Sequence, residues 1–221
     1  DFIAYRLRSR WSLHGVAGVA MKKTLFVTLL LLSINACQHL PYDANRNRIT
    51  VGQGITLQLL LPKNRFTATQ KITARYRNPQ SDAAPAQETQ HTLLMQVQAS
   101  PQNIVLAGLA PSGTRLFSLQ FDGNKTEVWQ SPLFSLQQIA TTSFDARYAL
   151  ADFELTSFPQ AQLQSALSRQ AQLIDNTKNG IRTRELRRQN GDTVIHIEYR
   201  ATQTEYCHRE RHYCLLIENL P

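Results

Sequence analysis

The chain has 221 residues, with 24 Lys and Arg against 16 Asp and Glu, so its formal net charge is +8. Only 19 of these basic and 15 of these acidic residues follow Cys37, which leaves that part at +4. Such a modest charge argues against nucleic acid as a partner. From Cys37 onward the chain has 185 residues, enough for one domain with a proper core.

A signal-like segment precedes Cys37. It begins with Met21-Lys22-Lys23 and continues as TLFVTLLLLSINA. A transmembrane helix needs roughly 20 apolar residues, and this run is shorter. A short basic region, a short apolar region and a small residue before the cysteine are typical of secretory signal peptides. We interpret residues 21–36 as a signal peptide and residues 1–20 as an upstream extension of the reading frame.

The four residues INAC (34–37) resemble the lipobox of bacterial lipoproteins. The resemblance implies a diacylglycerol on Cys37, cleavage before it, and a further acyl chain such as palmitate on its new amino group. Two or three chains would hold a protein on a membrane essentially permanently. Gln38, rather than Asp, follows the cysteine, which by resemblance implies the outer membrane of a Gram-negative bacterium, facing the periplasm. An ordinary signal peptide with a chance cysteine is the alternative.

The mature chain begins with a polar stretch and continues with strand patterns. Residues 37–48 have no apolar period and predict a lipidated tether, so residues 49–221 form the predicted domain. The turn signals SPQ, PSG and DGNK predict a β-meander. In the predicted strand at 114–121, Phe117, Leu119 and Phe121 share one face, as expected for a sheet with one covered face. Strands are predicted at 55–62, 71–77, 91–99, 103–110, 114–121 and 126–130, with a loop at 78–89.

The apolar period then changes to that of a helix. Residues 143–155 predict one helix with Ser143 or Asp145 as its N-cap. Residues 157–167 predict a second helix, capped by Ser157, with Pro159 in its first turn and Gln160 in the position of a capping box. About ten strands and two short helices predict an α+β fold built on one large antiparallel sheet. The remaining strands are predicted at 171–176, 180–189, 193–201 and 205–220.

The segment CHRERHYC contains the two cysteines that follow Cys37. If a two-residue turn lies at 210–211, Cys207 and Cys214 stand opposite one another in a hairpin, close enough for a disulfide. An exported protein can oxidise such a pair. Free thiols are one alternative. Metal binding through the same cysteines with His208 and His212 is another, although neighbouring strand residues point to opposite faces.

A basic stretch follows the helices and is a candidate surface. A solvated pair of strands is one interpretation, and a surface that docks phosphate head groups or an acidic partner is the other. Its cations are Lys178, Arg182, Arg184, Arg187 and Arg188.

The sequence contains no convincing catalytic motif. It has no G-x-S-x-G, no glycine-rich phosphate loop and no H-E-x-x-H. Asp145, Arg147 and Asp152 fit a paired-carboxylate site, but a salt bridge on a helix surface is far more common. His196 lies between two isoleucines in a predicted strand, and we interpret it as a structural histidine. We predict a protein that is not an enzyme, with no metal and no cofactor.

Several stretches resemble a bacterial lipoprotein family of unknown function that is often encoded in aryl-polyene pigment gene clusters. They are GLAPSGTRLFSLQFDG, the following Ser131-Pro132, FDARYALADFELTSFPQAQLQSAL and RHYCLLIENL. That family in turn is similar to the lipoprotein carrier and receptor LolA and LolB. The resemblance, over about residues 50–220, implies an incomplete antiparallel β-barrel, lidded by short helices, whose apolar hollow binds acyl chains. The loop at 78–89 lacks the large apolar residue of a LolB-type membrane-inserting loop, so direct delivery of lipoproteins is not expected.

The sequence thus predicts a monomeric, outer-membrane-anchored lipoprotein that binds an acyl or polyene lipid in a hydrophobic trough, in envelope lipid or pigment transfer. The first alternative is a structural or assembly lipoprotein that contacts another envelope protein; its helices fill the hollow and no ligand binds. A weaker alternative is a hydrolase of lipid-linked substrates. The predicted ligand-lining residues are Phe117, Leu119, Phe121, Leu150, Phe153 and Leu163.

Overall fold

The computed structural model describes residues 47–77, 88–132 and 145–221. The helices that lie within these ranges are α1 (Ala146–Ser157) and α2 (Gln160–Ala166). Neither of these two described helices is long and apolar enough to cross a membrane. The strands are β1 (Arg48–Gly52), β2 (Ile55–Gln58), β3 (Phe66–Arg77), β4 (Glu88–Ala99), β5 (Ile104–Leu109), β6 (Arg115–Phe121), β7 (Thr126–Gln130), β8 (Ala171–Lys178), β9 (Ile181–Arg188), β10 (Thr193–Tyr199), β11 (Gln203–His208) and β12 (Tyr213–Leu220).

Ten of the strands form one antiparallel sheet in the order β7-β6-β5-β4-β3-β12-β11-β10-β9-β8. Strands β3 to β7 are one meander and strands β8 to β12 are another. The last strand, β12, pairs with β3 and joins the two meanders. The end strands β7 and β8 do not pair with each other, so the sheet is not closed. The predicted fold class, an α+β protein with an open, barrel-like antiparallel sheet and two short helices, is confirmed.

A separate hairpin, β1–β2, packs on the core. Its apolar side chains Ile49, Val51, Ile55 and Leu57 are buried. The sequence prediction missed β1, because five residues next to a polar stretch carry too little period to be recognised. The predicted strand at 55–62 is shorter than expected and ends at Gln58.

The alternation predicted for β6 is confirmed, with one exception. Phe117, Leu119 and Phe121 are buried on one face, but Leu116 is buried as well. A β-bulge in the pairing of β5 with β6 adds one residue there, so two consecutive side chains turn inward. On β5, Gly108 lies directly against Phe117: a Cβ there would come within 2.2 Å of the ring. A glycine is therefore required for the ring to lie on the strand.

The helix starts were predicted with mixed success. Asp145 is the N-cap of α1, and its carboxylate accepts a hydrogen bond from the Arg147 N–H at 2.9 Å, as predicted. The predicted cap at Ser157 is wrong, because α1 continues through that residue and Pro159 occupies the N-cap position of α2 without a side-chain hydrogen bond. Phe158, the C-cap of α1, is buried in the turn between the helices.

Some predictions fall outside the described residues. These are the extension at 1–20, the signal peptide at 21–36, lipidation at Cys37, and Ser143. The predicted loop at 78–89 also lies outside them, except for its last two residues, which belong to β4.

Candidate functional site

The candidate site is the face of the ten-stranded sheet against which α1 and the β1–β2 hairpin pack, called here the covered face. One apolar cluster occupies it, with side chains from the sheet, the hairpin and both helices. All six predicted ligand-lining residues belong to this cluster and are at most 8% exposed. They are enclosed by the core and do not face an open trough. Their contact with a ligand stays a prediction. They are Phe117, Leu119, Phe121, Leu150, Phe153 and Leu163.

A pocket of about 260 Å³ opens beside this cluster. The ring of Phe66, in its wall, lies 5.9 Å from the ring of Phe153 on α1, and Phe153 lies 5.9 Å from Phe158. The pocket is slightly smaller than the 300–1,000 Å³ or so of typical small-molecule sites. Sequence reasoning missed it, because residues at strand ends and turns carry no periodic signal. Its lining residues are Arg65, Phe66, Thr67, Gln98, Ala99, Ser100 and Asn103.

The C-terminal end of α1 is held by a buried guanidinium. Arg184 on β9 is fully buried, and its Nε and Nη2 donate to the two carboxylate oxygens of Asp175 at 2.7 and 2.9 Å. Its Nη1 donates to the carbonyls of Leu155 and Phe158 at 2.6 and 2.9 Å. The last turn of α1 has no basic residue of its own. Arg184 therefore supplies both the missing donors and the positive charge that a helix C-terminus favours.

The predicted basic surface is wrong for Arg184, which faces the core. Strand alternation places it on the same side as the buried Leu186. The positive charge of the other residues in the stretch is mostly neutralised, because three of the arginines pair with carboxylates. Those pairs are Arg182–Asp175, Arg187–Glu185 and Arg188–Glu210, while Lys178 is exposed at the end of β8.

Asp152 is buried on the inner side of α1, where its carboxylate accepts hydrogen bonds from two tyrosine hydroxyls. Tyr206 donates to its Oδ1 at 2.5 Å and Tyr213 donates to its Oδ2 at 2.7 Å. Burial raises the pKa of Asp152 to about 6, and the tyrosine hydrogen bonds and the charge of Arg211 offset part of that rise. The expectation of a helix-surface salt bridge is wrong for Asp152. It is correct for Asp145, whose Oδ2 accepts from Arg147 Nε at 2.7 Å.

A second carboxyl group on α1 is also buried. Glu154 has no exposed surface and accepts the Leu60 N–H at 3.1 and 3.2 Å through its two oxygens. Burial raises its pKa well above the usual value, which favours the protonated form. Sequence reasoning named Asp152 as a candidate but missed its burial, and it missed Glu154 altogether, because the partners of both carboxyl groups are distant in sequence. Buried carboxyl groups that lack a salt-bridge partner are uncommon outside functional sites.

Cys207 and Cys214 form the favoured disulfide, with their Cα atoms 4.1 Å apart. The register of β11 with β12 is the predicted one, in which the two cysteines stand opposite each other. Because each sulfur is bonded to the other, neither is a thiolate ligand. The described ranges contain no cluster of three or more His, Cys, Asp or Glu that is suited to a metal.

The neighbouring His208 is buried and joins this hairpin to β1. Its Nε2 lies 3.1 Å from the carbonyl oxygen of Val51, and its Nδ1 accepts the Arg211 N–H at 3.4 Å. Burial lowers the pKa of His208 to about 4, so the ring is neutral at pH 7. His196 is half-buried with Nδ1 3.1 Å from Glu185 Oε1, which agrees with a structural histidine.

We expect Arg184→Met to lower the free energy of unfolding by about 3–5 kcal/mol, because it leaves the carbonyls of Leu155 and Phe158 without their donor and Asp175 with only its exposed partner Arg182. Arg182→Met is the matched control, since Arg182 binds the same carboxylate from an exposed position and should cost about 1 kcal/mol or less. Urea unfolding of both variants measures the difference. Equal losses of unfolding free energy in the two variants would show that the buried contacts of Arg184 stabilise the fold no more than an exposed ion pair does.

Asp152 and His208 predict opposite pH dependences of stability. The folded-state pKa of Asp152, about 6, lies above its usual 3.8, so the unfolding free energy falls as pH rises from 4 to 6. The folded-state pKa of His208, about 4, lies below its usual 6.5, so the unfolding free energy rises over nearly the same range. The two contributions, each about 3 kcal/mol, should largely cancel in the wild type.

Asp152→Asn should remove the first contribution, so the stability of this variant should rise between pH 4 and 6 by about 3 kcal/mol relative to wild type. The exposed Asp192→Asn is the control. Chemical denaturation at a series of pH values gives both slopes. A variant slope equal to that of the wild type would contradict the burial of an ionising Asp152.

A family comparison matches residues 67–221. The matched region contains both helices, the disulfide, Arg184 and nearly all of the ten-stranded sheet. It begins after the β1–β2 hairpin and Arg65. A comparison with curated proteins finds no match. Because the family match covers more than half of the chain, the protein belongs to the family described as "Protein of unknown function (DUF3261)".

Proposed function

We propose that the mature protein is an outer-membrane-anchored lipoprotein that faces the periplasm and binds the acyl or polyene chain of a lipid beneath α1. Its role would be to hold that chain during transfer of an envelope lipid or pigment. The anchor rests on the lipobox resemblance at Cys37. The mechanism is non-covalent, and the protein needs no cofactor for it.

The observation that carries the proposal is the contact between the pocket and the core. Phe66 forms part of the pocket wall and packs on Phe153, which is one of the predicted ligand-lining residues. An apolar chain that enters the pocket would cover the Phe66 ring and remove its own surface from water. Such burial contributes about 25 cal/mol per Å² of apolar surface.

A long chain needs more room than the pocket provides, and α1 is the element that can supply it. The helix is fastened at its C-terminal end by Arg184 and by the Tyr199 hydroxyl, which donates to the carbonyl of Thr156 at 2.9 Å. In its middle, it is fastened by Asp152. These are directional contacts at a few points. A small shift of α1, or a rotation of the Phe153 ring, would extend the pocket toward the core.

We expect the soluble chain from Gln38 to Pro221 to bind cis-parinaric acid, a fluorescent polyene fatty acid, saturably. Phe153→Ala should strengthen binding severalfold, because it opens space between the pocket and the core, although it also destabilises the fold by about 3–5 kcal/mol. Leu173→Ala is the control: it empties core space on β8, five strands from β3, and should leave the affinity unchanged.

Fluorescence titration of the three proteins measures these affinities. Absence of saturable binding by both the wild type and Phe153→Ala would refute the proposed function. Equal gains from Phe153→Ala and Leu173→Ala would show that any cavity binds the probe, and the pocket would then lose its special role.

A second function, an assembly lipoprotein that pairs with another envelope protein, is favoured by a specific feature of β7. Val128 and Trp129 on this edge strand are 42% and 45% exposed, which is high for large apolar residues. The hydrogen bonds from Ser131 N–H to the Leu116 carbonyl and from Asp122 N–H to the Lys125 carbonyl fix the alternation of the ladder. The backbone groups of Val128 therefore point away from β6.

The opposite edge of the sheet is protected. Gln164 of α2 donates to the carbonyl of Ala171 at 3.2 Å and accepts the Leu173 N–H at 2.7 Å. Gln160 donates to the Leu173 carbonyl at 2.8 Å. These side chains occupy the backbone groups that a further strand would use on β8. Of the two edges, β7 is the one that suits strand addition.

If β7 pairs with a partner strand, Val128→Pro should abolish the complex, because it removes an outward N–H without removing a bond to β6. Val128→Thr keeps that N–H and is the matched control. A photo-crosslinker at position 129 in envelope preparations would report the partner. A crosslinked product that survives Val128→Pro would exclude pairing through this edge.

A further inference from the structure

We infer that Arg65 binds the acidic head group of the lipid whose chain enters the pocket. This inference deepens the proposed function and rests on it. The ligand class is an amphiphile with a carboxylate or phosphate at one end and an acyl or polyene chain at the other.

The position of Arg65 fits this role. It directly precedes β3, lines the pocket together with Phe66, and is exposed to solvent. A cation at the mouth and an aromatic ring in the wall match the two ends of an amphiphile. A guanidinium also suits carboxylates and phosphates in particular, because its planar N–H groups can bind two oxygens at once.

The charge of Arg65 is available for a ligand. Ten ion pairs join side chains within the described ranges, and none of them includes Arg65. The residues that line the pocket include no carboxylate. By contrast, the arginines at positions 147, 182, 184, 187, 188 and 200 all pair with Asp or Glu. An incoming anion would therefore meet no repulsion from the pocket walls and would displace no internal partner.

The floor of the pocket is fixed independently of Arg65. Ser100 Oγ accepts the N–H groups of Gln102 and Asn103 at 3.2 and 3.1 Å and donates to Asn103 Oδ1 at 2.9 Å. These bonds hold the β4–β5 turn, and Ala99 beside it is buried. A substitution of Arg65 therefore changes the charge at the mouth while the hydrogen bonds of the β4–β5 turn stay in place.

The test compares cis-parinaric acid with its uncharged methyl ester at pH 8, where the free acid is ionised. Arg65→Gln should weaken binding of the acid about tenfold and binding of the ester less than about twofold. Arg209→Gln is the control, since Arg209 is exposed on the β11–β12 turn and should change neither affinity. Competition with palmitate and with phosphatidic acid then distinguishes a carboxylate head group from a phosphate by which of them displaces the probe in an Arg65-dependent manner.

The outcomes separate the two proposals. A wild-type protein that binds neither probe overturns the proposed function itself. A wild-type protein that binds both probes, with an Arg65→Gln variant that loses both equally or loses neither, overturns only the head-group role of Arg65. Loss of the acid alone supports both proposals.

Discussion

The buried guanidinium of Arg184 sets the position of α1, and the shape of the candidate site depends on that position. It connects β9, the edge strand β8 through Asp175, and the last carbonyls of α1. Removing a charge from water costs several kcal/mol, and the cost is offset only when the charge is paired and its donors are satisfied. The carboxylate and the two carbonyls meet that condition. Because α1 carries Phe153, this contact also sets how the core meets the pocket.

The interface beneath α1 combines apolar packing with buried carboxyl groups. Asp152 and Glu154 lie on the same helix as Leu150 and Phe153, all within the core. Each of these carboxyl groups accepts hydrogen bonds from buried or half-buried donors, and such bonds add only about 1 kcal/mol each in net terms, although a donor left without its acceptor would cost more. These polar contacts define the position of α1 but each of them stabilises it only modestly. Under the proposed function, α1 would be the cover that moves to admit a chain.

Local patterns in the sequence predicted most of the sheet, and contacts between distant segments explain what they missed. Alternation located β5 to β10 to within about two residues, and the spacing of Cys207 and Cys214 predicted the register of their hairpin. The burial of Arg184, Asp152 and Glu154 depends on partners between 9 and 94 residues away, which no local pattern reveals. A usable signal did exist for Arg184. It lies two residues before Leu186 in a strand, so the two side chains had to share a face.

The packing of the core decides where a ligand can enter. The residues at the centre of the core are almost fully buried, and protein interiors are in general close-packed, so emptying that centre for an added chain would cost several kcal/mol for each large side chain. The ends of the strands are different, because side chains there have fewer neighbours. Phe66 is only half-buried, and its contact with Phe153 can be replaced by contact with a hydrocarbon chain. That exchange keeps the apolar area covered. Entry at this end therefore requires the loss of one aromatic contact, whereas a central trough would require the core itself to open.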